Sequence, residues 1–271
     1  MHYGIEVVPF GHFGDPKAVI EFARAAEEAG WEGIWVWDHI LFPYGVGDPW
    51  VILSAVAAST EKLKIITGVS PLPRYRIHVL ARMLTSLDIL SRGRVIFGTG
   101  LGINHEFAQF GEPGDPRIRA AMLDEGLELL VELWSGNPVT HEGTYYTAKD
   151  ATIVTTPLQT RIPIWIGGES KAALRRAARW DGWIIGTINE KCETIRSPEK
   201  LAEEIMYIQK YRKSNASFEV AIDGISKPDE KDRELVRQYK EAGAVWWFEG
   251  IFGLRGSKEE MLNRIKAGPP T

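Results

Sequence analysis

The alternation along this chain predicts a single α/β domain over residues 1–271, a (β/α)8 barrel of the TIM type with an extended insertion before its fifth strand. Short apolar runs and amphipathic helical stretches alternate from end to end, which is the pattern of strand–helix units around a parallel sheet. Eight such runs can be counted. Eight units in 271 residues, with 44% hydrophobic content to build a sizeable core, match a closed barrel. A doubly wound sheet has fewer strands and an early glycine fingerprint.

The runs, in order, are Tyr3 to Pro9, Gly33 to Trp37, Leu63 to Val69, Val95 to Thr99, Ile162 to Ile166, Trp183 to Thr187, Phe218 to Ile222 and Ala244 to Phe248. Asp15-Pro16 starts the first helix as N-cap and first-turn proline, Val19, Phe22, Ala23 and Ala26 form its apolar stripe, and Gly30 stands where a left-handed C-cap belongs. Asp48-Pro49 and Ser197-Pro198 repeat the start signal, and Ser257 with Glu260 predicts a capping box on the last helix. Between Gly136 and Arg161 the chain is too rich in aromatic and β-branched residues for a disordered linker. Tyr145, Tyr146 and Ile153-Val154 read as a hairpin or extended excursion.

Composition narrows the partners. The 32 basic and 36 acidic side chains are nearly balanced, so neither a nucleic-acid groove nor a polybasic membrane patch is expected, and a small-molecule substrate is. The single cysteine, Cys192, excludes an internal disulfide framework and fits a reducing cytoplasm. No apolar run approaches the roughly 20 residues that span a bilayer, and the start of the chain has no secretory pattern.

In a parallel barrel the working residues lie at the carboxyl ends of the strands, on one face. The second strand ends in Asp38-His39, where the carboxylate orients the imidazole, or each residue faces a ligand separately, or the aspartate merely caps a loop. The third ends Thr67-Gly68-Val69-Ser70-Pro71, a glycine exit that permits close approach to a planar ligand or forms a simple tight loop. The fourth gives Gly98-Thr99-Gly100-Leu101-Gly102-Ile103-Asn104-His105-Glu106. Its glycines lack dinucleotide-fingerprint spacing; they leave room for a ring system, with Asn104 or Glu106 as a polar contact, or they serve turn chemistry alone. The fifth ends Gly167-Gly168-Glu169-Ser170 before a helix from Lys171, an arrangement suited to phosphate, which barrels often bind on late strand–helix loops, with a plain Ser170 N-cap as the lesser alternative. Thr187, at the sixth strand's exit, offers a hydroxyl to the same phosphate.

Taken together and in order, these stretches resemble the luciferase-like monooxygenase family, which includes FMN-dependent monooxygenases and coenzyme F420-dependent enzymes. The resemblance is carried by Ala25 through His39, Leu84 through Val95, Gly98-Thr99-Gly100 through Asn104, Leu133-Trp134-Ser135-Gly136, Ile162 through Gly168, and Ala178 through Trp183. It implies a flavin-type cofactor, F420 or FMN with F420 slightly favoured, two-electron redox chemistry on a small organic substrate, and a homodimer. It implies that Asp38 and His39 contact the cofactor ring, with His39 near the reacting carbon, and that Gly68-Val69 is a non-prolyl cis peptide against the ring. The resemblance further matches Asn104 to the family's cofactor-contacting asparagine and Gly167-Gly168 to its phosphate loop; Ser70, Gly100, Glu169 and Thr187 complete the expected cofactor site. Some deazaflavin-dependent members carry an acidic residue within the fourth-strand loop, where this chain has Leu101, Gly102 and Ile103; Glu106 lies later. Beyond Thr187 the match fades, and Arg255 is the candidate for the cofactor tail.

Two other function classes compete with this reading. A non-catalytic flavin-binding protein would bind the cofactor without turnover. A metal-dependent barrel hydrolase would need clustered ligands at strand ends, and the six histidines include no His-x-His on the first strand, so no metal site is expected.

Overall fold

The computed structural model describes residues 1–189 and 191–271. The first half of the chain runs β1 (His2–Val7), α1 (Pro16–Glu28), β2 (Gly33–Val36), α2 (Pro49–Ser59), β3 (Lys64–Pro71), α3 (Ile77–Leu90), β4 (Val95–Gly100), α4 (Asn104–Ala108) and α5 (Pro116–Leu133). A hairpin of β5 (Val139–Glu142) and β6 (Thr147–Ala151) follows. The second half is β7 (Ile164–Gly167), α6 (Lys171–Ala177), β8 (Gly182–Ile185), α7 (Pro198–Tyr211), β9 (Glu219–Gly224), α8 (Glu230–Glu241), β10 (Trp246–Ile251) and α9 (Lys258–Lys266). No helix among the described residues is long and apolar enough to cross a membrane.

The barrel closes in the order β1-β10-β9-β8-β7-β4-β3-β2, every pair parallel, so each expected strand is present and all eight carboxyl ends open on one side. The helices start where local chemistry dictates. Asp15, Asp48, Ser170, Ser197 and Ser257 each accept a backbone N–H of their own first turn, and Ser257 and Glu260 form the reciprocal capping box. Gly30 closes the turn after α1 at φ +87°.

The main core lies between strands and helices, where the α1 stripe of Val19, Phe22, Ala23 and Ala26 is fully buried. A separate cluster fills the barrel interior: Trp35, Ile66, Ile96, Trp165, Ile184, Ala221, Trp246 and Phe248. Its rings interlock, Trp246 stacking on Phe248 at 5.3 Å and Trp35 meeting the same ring edge-on at 5.6 Å. The lumen is therefore plugged from below. The carboxyl-end mouth above the plug is open, and the strand ends converge on it.

The insertion before the fifth barrel strand is a hairpin, with a shift of detail. Tyr145 and Tyr146 sit at its turn, because the Glu125 carboxylate accepts the amides of Thr144, Tyr145 and Tyr146 and fixes them in a loop. Ile153 and Val154 lie outside both strands.

Candidate active site

A cavity of about 460 Å³ opens at the carboxyl ends of the strands, within the size range of sites that hold small molecules and cofactors. Asp38, His39, Gly68, Val69, Gly100, Gly167, Gly168 and Glu169 all line it, so most of the residues singled out along the sequence converge. A larger cavity of about 680 Å³ lies at the opposite, amino end. Two pairs of its charged groups engage each other, His2 with Glu32 at 2.6 Å and Arg161 with Asp181, and Glu27 is occupied by backbone amides. The chemistry-bearing strand ends belong to the smaller one.

The second strand's exit builds its most organised part. His39 Nδ1 lies 3.2 Å from Glu106 Oε1, and that oxygen also accepts the amides of Ile40 at 2.9 Å and Leu41 at 3.0 Å. Burial pushes the Glu106 carboxyl up, but the amides of Leu41 and Ile40, together with His39 and Arg74, outweigh it and hold the group below the usual carboxylate range. An ionised carboxylate can only accept, so Nδ1 is the protonated nitrogen and Nε2 remains available as an acceptor. Behind Glu106, Arg74 bridges two acids, donating to Glu106 Oε2 at 2.7 Å and to Asp38 Oδ1 at 2.8 Å. The Tyr75 hydroxyl donates to Asp38 Oδ2 at 2.7 Å and itself accepts from Trp50 at 2.8 Å. Burial and the Asp38 charge push the phenol up, so it stays a donor.

The carboxylate that orients His39 is therefore Glu106 and not its neighbour Asp38, although Glu106 lies outside the expected acidic stretch of the fourth-strand loop. Asp38 has both oxygens engaged by Arg74 and Tyr75 and sets the position of Arg74.

Glycines shape the wall facing His39. The Gly68–Val69 peptide is cis, where the resemblance placed it. Trp35 Nε1 donates to the Gly68 carbonyl at 2.5 Å, and a Cβ on Gly68 would fall 1.6 Å from that nitrogen, so no other residue fits. The Val69 side chain projects between Gly100 and Gly167, whose added Cβ atoms would come within 3.1 and 2.7 Å of its methyls. A flat, open shelf results, with Val69 at its centre and His39 among the same lining residues. These residues fit a planar ring system. At the far side Gly168, at φ +110°, turns the chain into α6, while Glu169 pairs with Arg196 at 2.8 Å.

Three expected residues do not reach the cavity lining. Ser70 is fully buried and its hydroxyl has no partner among the described residues; the register shift between Thr67 and Ser70 turns Val69 to the cavity in its place. Asn104 accepts from Arg119 at 2.5 Å at the exposed start of α4. Thr187 donates its hydroxyl to the Asp223 carbonyl at 2.5 Å, and its amide also donates to that residue's carboxylate. Its predecessor Gly186 lines the cavity instead. Arg255, the candidate for the cofactor tail, pairs with fully buried Glu249 at 2.6 Å and donates to the Gly250 and Ser226 carbonyls.

Sequence reasoning passed over Glu6, Trp37 and Asp223. These three stand between the main cavity and a second chamber of about 240 Å³. Trp37 Nε1 donates to Glu6 Oε1 at 2.5 Å. Burial, then the Asp223 charge, pushes the Glu6 carboxyl well up, and burial pushes Asp223 up to about 7. A signal was present for the two acids: Glu6 is a lone acid inside an otherwise apolar strand, and Asp223 stands at the seventh strand's exit. Among the described residues no three His, Cys, Asp or Glu side chains gather as metal ligands would.

The family model described as luciferase-like monooxygenase matches residues 4–263 of the 271. An F420-dependent glucose-6-phosphate dehydrogenase of Microbacterium testaceum is 37% identical over 200 residues, covering 70% of this chain and 56% of that protein. The chain thus spans about half the length of the curated relatives it matches. Among solved structures, an F420-dependent secondary alcohol dehydrogenase superposes with a TM-score of 0.82 at 18% identity, over 99% of this chain and 98% of that one. A monooxygenase from Streptomyces bottropensis does so at 0.77 and 19%, over 98% and 97%. At such identities the likeness is one of fold. With nearly its whole length matched, the chain belongs to the luciferase-like monooxygenase family.

Proposed function

We propose that this protein is a coenzyme F420-dependent oxidoreductase that moves a hydride between a small organic substrate and a deazaflavin ring seated on the shelf around Val69. The observation that carries the reading is the His39–Glu106–Arg74–Asp38 chain, which sets a single imidazole nitrogen free in a glycine-walled cavity. When bound, such a ring supplies or accepts two electrons as hydride. The curated relatives named as F420-dependent support this cofactor over FMN.

The residues of this chain divide the remaining work. Gly68, Val69, Gly100 and Gly167 would hold the ring, and the turn at Gly168 and Glu169 would take its phosphorylated chain. His39 Nε2 takes the proton that a substrate hydroxyl releases as its carbon loses hydride, and returns it in the reverse direction. Glu106 fixes the imidazole and stabilises the cation that forms when the proton arrives, a role that suits an anion held in place by two amides and an arginine. The aromatic plug beneath fills the lumen and keeps water from reaching the shelf from below.

Titration of the protein with F420 and with FMN, each followed by absorbance, then assay of hydride transfer and of oxygen-dependent product formation, tests the reading. F420 binding with anaerobic turnover is expected. His39→Ala should lower that turnover by about 10²- to 10⁴-fold, with cofactor affinity much less affected. Preferential binding of FMN with oxygen-dependent product would make the protein a monooxygenase instead. Tight cofactor binding without turnover would make it a non-catalytic flavin-binding protein.

A further inference from the structure

The second chamber has a composition that the proposed hydride-transfer site does not require. Val8, Phe10, Phe42, Phe252 and Leu254 give it apolar walls, and Phe10 stacks on Phe42 at 5.2 Å. Its polar end consists of Glu6 and Asp223, both nearly fully buried and both also facing the main cavity. Among the described residues that line this chamber there is no lysine or arginine.

The nearby arginines do not alter this balance. Arg74 is held by Asp38 and Glu106, Arg196 by Glu169 and Glu204, and Arg255 by Glu249. Asn189, the remaining polar lining group, accepts the amides of Lys191 and Glu193 in its own loop and donates to the Glu193 carboxylate. An anionic ligand would meet two carboxyls and no counter-charge. An uncharged hydroxyl or carbonyl meets groups able to pair with it, because two buried acids in electrostatic contact retain protons and thus offer both a donor and an acceptor.

We infer that this chamber is the substrate subsite and that it selects an uncharged, mainly apolar molecule bearing a hydroxyl or carbonyl, held by Glu6 and Asp223, while rejecting phosphorylated and carboxylated compounds. The volume has room for roughly eight water molecules, which sets the scale of the apolar body. Glucose 6-phosphate, the compound named for several relatives, is among those rejected. The inference rests on the proposed cofactor site for its catalytic meaning, but the chamber's selectivity can be measured without cofactor.

Cyclohexanol, cyclohexanecarboxylate and glucose 6-phosphate are titrated calorimetrically into the full chain, cofactor-free and then F420-loaded. Cyclohexanol is expected to bind in both states, and the two anions at least 100-fold more weakly. Glu6→Ala should weaken cyclohexanol at least tenfold. Glu6→Gln, which keeps the acceptor for Trp37, checks that the loss is not one of folding and should weaken it less. Leu254→Arg, at a half-exposed position on the wall, should raise affinity for cyclohexanecarboxylate at least tenfold, a gain that misfolding cannot produce. Binding of glucose 6-phosphate as tight as that of cyclohexanol, unchanged cyclohexanol affinity in Glu6→Ala, or no gain in Leu254→Arg would each overturn the inference. Failure of both F420 and FMN to bind while cyclohexanol still binds selectively would sink the cofactor reading and leave the chamber's selectivity standing.

Discussion

Replacing Glu106 by glutamine isolates the electrostatic part of the His39 unit. The amide keeps an oxygen to accept from His39 Nδ1 and from the Ile40 and Leu41 amides, so the ring's orientation survives while the charge is lost. At 3.2 Å and an effective dielectric of about 20, opposite unit charges attract by roughly 5 kcal/mol. His39 is 28% exposed, so screening reduces this to about 2 to 3 kcal/mol of stabilisation for the protonated imidazole. The rate of a step that places a proton on Nε2 should then fall by about 30- to 150-fold. Loss of the Arg74 partner at 2.7 Å should cost about 1 to 3 kcal/mol of stability, since Arg74 keeps Asp38. Steady-state turnover read from cofactor absorbance, beside an F420 binding isotherm, separates the two effects. A variant with wild-type turnover and unchanged cofactor affinity would refute the assignment of Glu106 to the proton-transfer step.

Three further outcomes follow from the geometry. Gly186→Leu should lower F420 affinity at least 100-fold in a fluorescence titration with little change in thermal midpoint, because its Cβ fits at 3.4 Å from Asp223 Oδ2 and the branches enter the cavity. Glu249→Ala should cost about 3 to 5 kcal/mol in urea unfolding, since Arg255 and Arg264 both lose their fully buried partner. Glu6 and Asp223 are raised carboxyls, so the folded state binds more protons than the unfolded one between about pH 4 and the Asp223 value near 7. Stability contributed by the pair is present below that window and is lost as pH rises through it. Glu6→Gln should therefore gain on the order of 1 kcal/mol over the wild type at pH 8 and nothing at pH 4, as read by unfolding at both values.

The barrel was legible because its signals are local. Strand–helix alternation, Asp-Pro and Ser-Pro helix starts, and the Ser257–Glu260 box each depend on residues a few positions apart, and each is found where expected. The hairpin turn was displaced by a contact that is not local, from Glu125 to residues 144–146. The same distinction governs the site. Asp38, His39, Gly68 and Gly167 could be placed at strand ends from order alone, but the partner of His39 lies 67 residues away and that of Asp38 36 residues away. Neither pairing is encoded in spacing. Ser70 misses the cavity lining because a one-residue register shift in β3 puts Val69 there, and Thr187, beyond the end of β8, is turned to Asp223 by two hydrogen bonds. Glu6 was hidden by its surroundings: an acid in an apolar strand reveals its direction only when the barrel closes.

A crystal structure of the F420 complex would show the ring and its neighbours together. The deazaflavin ring is expected against Val69 with one face open toward Glu6 and Asp223, and His39 Nε2 within hydrogen-bonding reach of the substrate position. A ring bound at the amino-end cavity beside Trp165 and Trp246, or one separated from His39 by ordered side chains, would contradict this placement.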